Sequence, residues 1–312
     1  MGTPRFAVPP LLALAKAGYD IASVVTRIDK PAGRGRSMAQ PAVKVAAIEM
    51  GLPVYQPKRV RDPNVIEILR RLAPEVIVVA AYGQIIPKEI LALPKYGCIN
   101  IHASLLPLYR GAAPINWAII HGETRTGNTI MQMEEGMDTG AILLQEAIAI
   151  DPKDTAGTLM EKLSSLGAKL ITAALPLIET GKLTPEPQDG SKATLAPLLK
   201  KEDGLINWKL SALEIHNQVR GLTPWPSAFT FLNENMVKIL ETETLQGREE
   251  PGRIHEGMQG ILYVGTGSGL LRIIRVQPAG KKPMDAADFL RGHRDIEGKK
   301  FTSEQRTHGK NG

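Results

Sequence analysis

A chain of 312 residues that is 43% hydrophobic and 22% charged can bury a sizeable core and is too apolar to be a disordered polymer. Its one cysteine, Cys98, excludes internal disulfides and clustered-cysteine zinc sites, fits a reducing compartment and reads as a small core residue. The net charge of +6 permits a polyanionic partner without requiring one. No apolar run approaches the roughly 20 residues of a membrane span. The opening residues lack the build of a signal peptide, so the expected location is the cytoplasm.

In chain order, "VPPLLALAKAG" (8–18) predicts a helix opened by proline and stopped at Gly18. "IASVVT" (21–26) predicts a buried strand. "PNVIEILRRLA" (63–73) has helical apolar spacing. "PEVIVVAAYG" (74–83) and "GCINIHA" (97–103) predict two more strands, and "GAAPINWAIIHGE" (111–123) a helix opened by Pro114. This alternation predicts an α/β fold with a mostly parallel, doubly wound sheet. Residues 126–150 read as two strands flanking an acidic, glycine-bounded loop, "EEGMDTG", that projects from the sheet edge. Residues 155–181 carry Leu159, Leu163, Leu166 and Leu170 at helical spacing. Pro176 is expected to kink or end that helix.

Residues 182–205 are dense in Pro, Lys, Gln and Ser and read as a linker. Short alternating runs with glycine turns follow and predict a small β-barrel, OB-like, over 206–301. The expected division is therefore a catalytic domain at 1–181, the linker, the barrel, and a disordered polar tail at 302–312. Trp225, between Pro224 and Pro226, is expected to be buried by a rigid turn.

The chemistry-bearing stretch is "GCINIHASLLPLYRG" (97–111). In an extended strand Asn100 and His102 point to the same face. They sit at the carboxyl end of a predicted parallel strand, where ligands of open α/β sheets bind. Asp138, on the projecting loop, is a candidate partner for the imidazole. The remaining histidines are scattered, which predicts a metal-free Asn/His/Asp cluster. An amide and a protonated imidazole can stabilise a developing oxyanion, and a carboxylate can orient the ring or relay a proton. Acyl or one-carbon transfer fits this set. No Gly-x-Ser-x-Gly elbow surrounds Ser104.

"CINIHASLLPLYRGAAPINWAI" together with "GNTIMQMEEGMDTGAILLQ" resembles the methionyl-tRNA formyltransferase family, one of the 10-formyltetrahydrofolate-dependent transferases. The likeness extends through "MGTPRFAVPPL", "DKPAGRGR", "AAYGQIIP", "KEDGLINW", "NQVRGLTPWPSAFT" and "QPAGKKPM". It implies that Asn100, His102 and Asp138 are the catalytic trio. It implies that Ser104, Leu105, Leu106 and Pro107 contact the folate, and that Gln84, Ile85 and Ile86 form its pterin pocket. The reaction it implies is attack by the α-amine of methionyl-tRNA on the formyl group of 10-formyltetrahydrofolate, without a metal. Asn100 and His102 would stabilise the oxyanion, and Asp138 would steady His102.

"TRIDKPAGRGRSMAQPAVK" (26–44) holds Arg27, Lys30, Arg34, Arg36 and Lys44 against one acid. It lacks the spacing of a Walker A loop or a dinucleotide fingerprint. A basic loop can track phosphates, and the resemblance implies that Lys30, Arg34 and Arg36 contact tRNA. Lys281 and Lys282, in "GKKPMDAADFLRGHRDIEGKK" (280–300), form a second candidate patch. The family's segment before "MGTP" is a short apolar strand, so the first strand of the sheet is expected to be missing from this chain, with Met1 an internal methionine of a longer natural protein. The alternatives are another enzyme, either a formyltransferase acting on a sugar-nucleotide amine or a formyl-folate hydrolase, and an RNA-binding homologue that has lost catalysis. Nothing in the pattern suggests an obligate oligomer, so a monomer is expected.

Overall fold

The computed structural model describes residues 1–32, 37–257, 260–293 and 295–303. They fall into two units. The first comprises Met1–Pro114, Arg125–Ala149 and Leu159–Pro197; the second comprises Ile115–Thr124, Ile150–Thr158 and the chain from Leu198 on.

In the first unit, helix α1 (Val8–Lys16) leads to strand β1 (Val24–Val25). Gly18, at φ +82°, makes the turn after the helix. A hairpin follows, β2 (Lys30–Ala32) with β3 (Ser37–Ala39), then α2 (Ala42–Glu49) and β4 (Val54–Tyr55), parallel to β1. Helix α3 (Pro63–Arg71) is capped by Asp62, which accepts from the Asn64 amide at 3.0 Å. Its buried face is Val65 and Leu69. Strand β5 (Ile77–Val79), α4 (Lys88–Leu91), β6 (Cys98–His102) and β7 (Arg110–Gly111) come next. After α5 (Pro114–Ile120), which counts with the second unit from Ile115 on, β8 (Arg125–Gln132) and β9 (Ile142–Ala149) form a long antiparallel hairpin; α6 (Ala156–Glu179), which counts with the first unit from Leu159 on, and β10 (Leu195–Ala196) follow.

Strand β5 pairs parallel to β6, and β6 pairs antiparallel to β8. Parallel pairing therefore holds for β1–β4 and β5–β6, β2–β3 stands apart as an antiparallel hairpin, and the β8–β9 hairpin makes the β5–β6–β8–β9 sheet mixed. Met1 and Gly2 lie between β1 and β5, where the sequence reading expects a first strand. Gly2 donates to Val25 O at 3.0 Å, and Ala80 donates to Met1 O at 2.9 Å. A cavity of 380 Å³ adjoins them, lined also by Leu11, Leu14, Val24, Leu72, Ile77 and Leu175, among others.

All five residues of β6 are buried. Cys98 joins a core cluster with Val65 and Leu69 of α3. On the opposite face, a Cβ added to Gly167 of α6 would lie 2.8 Å from Ile101 Cγ2. Helix α6 thus seats its backbone on Ile101. Leu159, Leu163 and Leu170 are buried to within 3%, and Leu166 is 8% exposed. Pro176 does not end this helix, which runs to Glu179. The proline lies in its last turn, so only one late bond is lost. The stop comes at Gly181, φ +66°, where Lys182 N donates to Leu177 O at 2.8 Å and Gly181 N to Ile178 O at 3.1 Å, a Schellman closure.

The segment expected as a linker is paired. Glu186 bridges Ile142, and β10 runs parallel to β7.

In the second unit, α7 (Ala212–Gly221) opens with a Ser211/Glu214 capping box. Strands β11 (Ala228–Leu232), β12 (Asn235–Leu245), β13 (Ile254–Gly257), β14 (Ile261–Gly265), β15 (Leu270–Pro278) and β16 (Met284–Asp285) form one antiparallel sheet, and α8 (Ala286–Arg291) follows. Bridges Phe231–Thr302 and Arg253–Lys300 carry the chain across from β11 to the start of β13, closing the curved sheet. Trp208 donates to Thr230 Oγ1 at 3.0 Å and stacks on Phe301. Thr302 and Ser303 are likewise held, by Phe231 and Ile206; the rest of the expected tail, 304–312, lies outside the described residues. Trp225 is 53% exposed rather than buried. Ser227 N donates to Leu222 O at 2.9 Å, which puts Trp225 at the tip of a turn while Leu222 takes the core position.

Two outcomes follow from this packing. Leu163→Ala, at a fully buried position, is expected to lower unfolding free energy by about 2–5 kcal/mol in a denaturant titration. Burial pushes the Cys98 thiol up to about 12. An aromatic disulfide reagent at pH 8 should therefore leave native protein unmodified and titrate the thiol only after unfolding.

Candidate active site

Strand β6 brings Asn100 and His102 to one face, opposite Ile101. Both are buried, at 8% and 5% exposure. His102 Nε2 donates to Tyr109 O at 3.0 Å. A carbonyl can only accept, so this bond fixes the proton on Nε2 and turns Nδ1 toward Asp138. Nδ1 stands 3.7 Å from Asp138 Oδ2, inside ion-pair range but beyond a hydrogen bond. The same carboxylate oxygen accepts from Gly111 N at 2.8 Å. The Asn100 side chain has no hydrogen-bond partner among the described residues. The residue is mostly buried, yet its amide still reaches solvent and is not among the buried polar atoms left without a partner, so its donors stay open to a ligand.

Two residues in the left-handed region shape this geometry: Tyr109 at φ +59° and Asp138 at φ +53°. Aspartate tolerates that conformation, whereas a bulky aromatic seldom adopts it. Tyr109 is held there on both sides: its N–H donates to Thr194 Oγ1 at 2.8 Å, and its carbonyl accepts from His102. The Asp138 loop turns between Gly136 and Gly140. A Cβ at Gly140 would lie 1.8 Å from Gln132 O, so only glycine fits.

The turn after β6 is braced from the neighbouring strands. Thr129 lies opposite His102, and Gln145 opposite Thr129. Thr129 Oγ1 donates to Ser104 O at 2.7 Å and accepts from Leu106 N at 3.1 Å and Gln145 Nε2 at 2.8 Å. Gln145 also donates to Leu106 O at 3.0 Å. Ser104 Oγ is committed to Leu108 O at 2.6 Å. Ser104 and Leu106 are buried parts of the turn, while Leu105 and Pro107 keep partly accessible surfaces.

The Gln84–Ile86 stretch leaves the sheet after β5, at the same edge as the end of β6. Gln84 Oε1 accepts from Val60 N at 3.0 Å, and its amide nitrogen reaches Tyr82 Oη at 3.3 Å. Ile86 is a core residue at 6% exposure, and Ile85 is 90% exposed. Of these three, Ile85 is exposed, Gln84 is partly accessible and Ile86 is buried, so the three do not line one surface equally.

The basic residues sort by pairing. Lys44 is tied to Asp29 at 2.7 Å, and Arg27 to Gly83 O. Lys30 is exposed at the base of the β2–β3 hairpin. Arg34 and Arg36 lie outside the described residues. In the second patch Arg291, Lys299 and Lys300 pair with Asp288, Asp295 and Glu250. Lys281 and Lys282 are exposed on the turn between β15 and β16 and make no ion pair among the described residues. The same residues contain no His/Cys/Asp/Glu group able to hold a metal ion, and no helix long and apolar enough to cross a membrane.

Sequence reasoning missed Tyr109, Thr129, Gln145, Gln188 and Thr194, which hold the cluster in place. The alternation of β8 and β9 could have flagged Thr129 and Gln145 as facing residues. Gln188 and Thr194 lie in a stretch whose composition signals only a turn-rich connection.

Residues 1–175 match the formyl transferase family and residues 198–294 the formyl transferase C-terminal domain. A protein of Thermodesulfovibrio yellowstonii named methionyl-tRNA formyltransferase is 53% identical over 297 residues, covering 95% of this chain and 96% of its own. One of Syntrophus aciditrophicus with the same name is 49% identical, covering 94% and 95%. Among solved structures, the sugar 3N-formyl transferase WlaRD, crystallised with dTDP and 5-N-formyl-THF, superposes with a TM-score of 0.65 at 21% identity, covering 90% of this chain and 97% of its own. That last likeness is one of fold, whereas the full-length relatives near 50% identity define the group: the chain belongs to the methionyl-tRNA formyltransferase family.

Proposed function

We propose that this chain transfers the formyl group of 10-formyltetrahydrofolate to the α-amine of methionyl-tRNA, with Asn100, His102 and Asp138 as the reacting set. The observation that carries this reading is the unpaired Asn100 amide beside a His102 ring held between a backbone carbonyl and a carboxylate. Acyl transfer to an amine needs a donor for the oxygen that gains charge and a group that moves one proton from amine to leaving nitrogen.

Asn100 supplies the donor. Its two N–H groups bond to nothing else among the described residues and lie in a buried site, where a hydrogen bond to an anion is strongest. His102 accepts the amine's proton as the new C–N bond forms. The free lone pair is on Nδ1, because Nε2–H is held by Tyr109 O. Asp138 then faces the imidazolium and stabilises it. The proton passes to the folate N10 as its bond to the formyl carbon breaks, which leaves His102 neutral again. Leu105, Pro107 and Ile85 offer apolar surface for the folate. Ser104, Leu106, Gln84 and Ile86 support those surfaces from behind. The mechanism uses no metal.

Lys30, Arg34 and Arg36 near the N-terminus, and Lys281 and Lys282 in the second unit, are read as contacts to tRNA phosphates. The expected domain division, with a catalytic domain at 1–181, also belongs to this reading, as does action in the cytoplasm as a monomer. The competing reading, transfer to a sugar-nucleotide amine, is met by assaying both acceptors.

The expected result is formyl transfer to methionyl-tRNA by wild-type protein, with Asn100→Ala and His102→Ala each slower by about 10²–10³-fold. Transfer only to a sugar-nucleotide amine would overturn the reading. Lys281→Ala combined with Lys282→Ala should raise KM for tRNA and leave kcat unchanged. It should also make the dependence of log affinity on log salt shallower, by about one for each phosphate the protein no longer engages.

A further inference from the structure

We infer that Gln188 is a positioning residue for the reaction and that the strap formed by residues 186–196 is a working part of the active site, an inference that rests on the transfer proposed above. The strap begins where Glu186 pairs with Ile142, each donating to the other at 2.8 Å. It ends where Leu195 pairs with Arg110 and Ala196 with Gly111. Between these points it touches both halves of the framework around the His102–Asp138 pair.

The Gln188 side chain is half-buried, and its amide is fully used. Nε2 donates to Asp138 O at 2.9 Å and to Gly140 O at 2.7 Å. Oε1 accepts from Arg110 Nε at 3.1 Å and Nη2 at 2.7 Å. Two donations and two acceptances exhaust what a primary amide can do, and neither a carboxylate nor an ammonium can do both. The groups it joins are the loop that carries the carboxylate and the segment that aims the imidazole. Tyr109 O holds His102 Nε2, Gly111 N holds Asp138 Oδ2, and Arg110 lies between them.

The rest of the strap holds that segment from the other side. Thr194 Oγ1 accepts from Tyr109 N at 2.8 Å, and Thr194 O accepts from Arg110 N at 2.8 Å. Gly111, at φ +127°, approaches so closely that a Cβ there would lie 2.5 Å from Ala196 O. The 3.7 Å separation of Nδ1 and Oδ2 is therefore set by two anchors two residues apart, and Gln188 ties both to the Asp138 backbone. Gln188 touches neither the imidazole nor the carboxylate; it acts through their supports.

The test compares wild type, Gln188→Ala and Gln188→Glu. The glutamate substitution keeps one oxygen for Arg110 but sets the other, in place of the N–H donors, against the carbonyls of Asp138 and Gly140. Both variants should lose about 10²-fold in kcat, with KM for 10-formyltetrahydrofolate within about two-fold of wild type. Hydrogen exchange of the Gly111 amide, the donor to Asp138, should accelerate in both. Retained kcat and retained Gly111 protection in Gln188→Glu would overturn the inference, because the Arg110 bond alone would then suffice. A loss of kcat that disappears when rates are scaled to the folded fraction, taken from a melting curve, would overturn it as well. If wild type formylates neither acceptor, the proposed reaction falls, and Gly111 exchange alone decides whether Gln188 holds Asp138.

Discussion

The site depends on one constraint, the two-residue repeat of a strand that is covered on both faces. Strand β6 has sheet neighbours on either side and no exposed residue. Its odd face must close against α6, which it does by pressing Ile101 onto Gly167. Its even face carries an amide and an imidazole into the interior. Burying such groups is unfavourable unless each finds a partner. His102 finds one in Tyr109 O, only seven residues later, so the chain must reverse sharply after the strand. The tight turn over Ser104–Pro107, the left-handed Tyr109 and the bracing by Thr129 and Gln145 are all answers to that requirement. Asn100 finds no such partner among the described residues, and its amide is the donor that the proposed reaction uses.

Much of this was legible in the sequence because it is local. Alternation placed Asn100 and His102 on one face. Glycines around Asp138 marked a projecting loop. The leucine stripe of α6 and the apolar face of α3 follow from helical spacing. What was not legible is long-range. Gln188 and Thr194 sit in a run of Pro, Lys, Gln and Ser that reads as a connection, since pairing across 50 and 85 residues leaves no local periodicity. Ile85 and Ile86 are chemically alike, yet one is exposed and one buried, a distinction made by the path of the loop. Trp225 shows the reverse failure: hydrophobicity predicted burial, and the turn geometry gave the interior to Leu222.

Charge behaves in the same way. A count of basic residues between 280 and 300 treats Lys281, Lys282, Arg291, Lys299 and Lys300 as equals. Three of them face carboxylates, which leaves the turn lysines, among the described residues, without an ion pair. In the N-terminal hairpin region Lys44 is likewise neutralised by Asp29, while Lys30 makes no ion pair among the described residues. The sign and density of a sequence run indicate a possible partner, and the pairing within the fold decides which residues can meet it.

The strap carries a consequence for how the molecule comes into being. Its contacts close loops far longer than those of the hairpins and helices, and long loops are entropically slower to close. The sheet and its helices can form while Tyr109, Gly111 and Asp138 are still unaligned. During synthesis the residues from 186 to 196 emerge well after β6 and β9. A nascent chain would thus own a recognisable fold before it owned a competent centre, and competence would arrive with the last segment of the first unit rather than with the strand that bears the reacting groups.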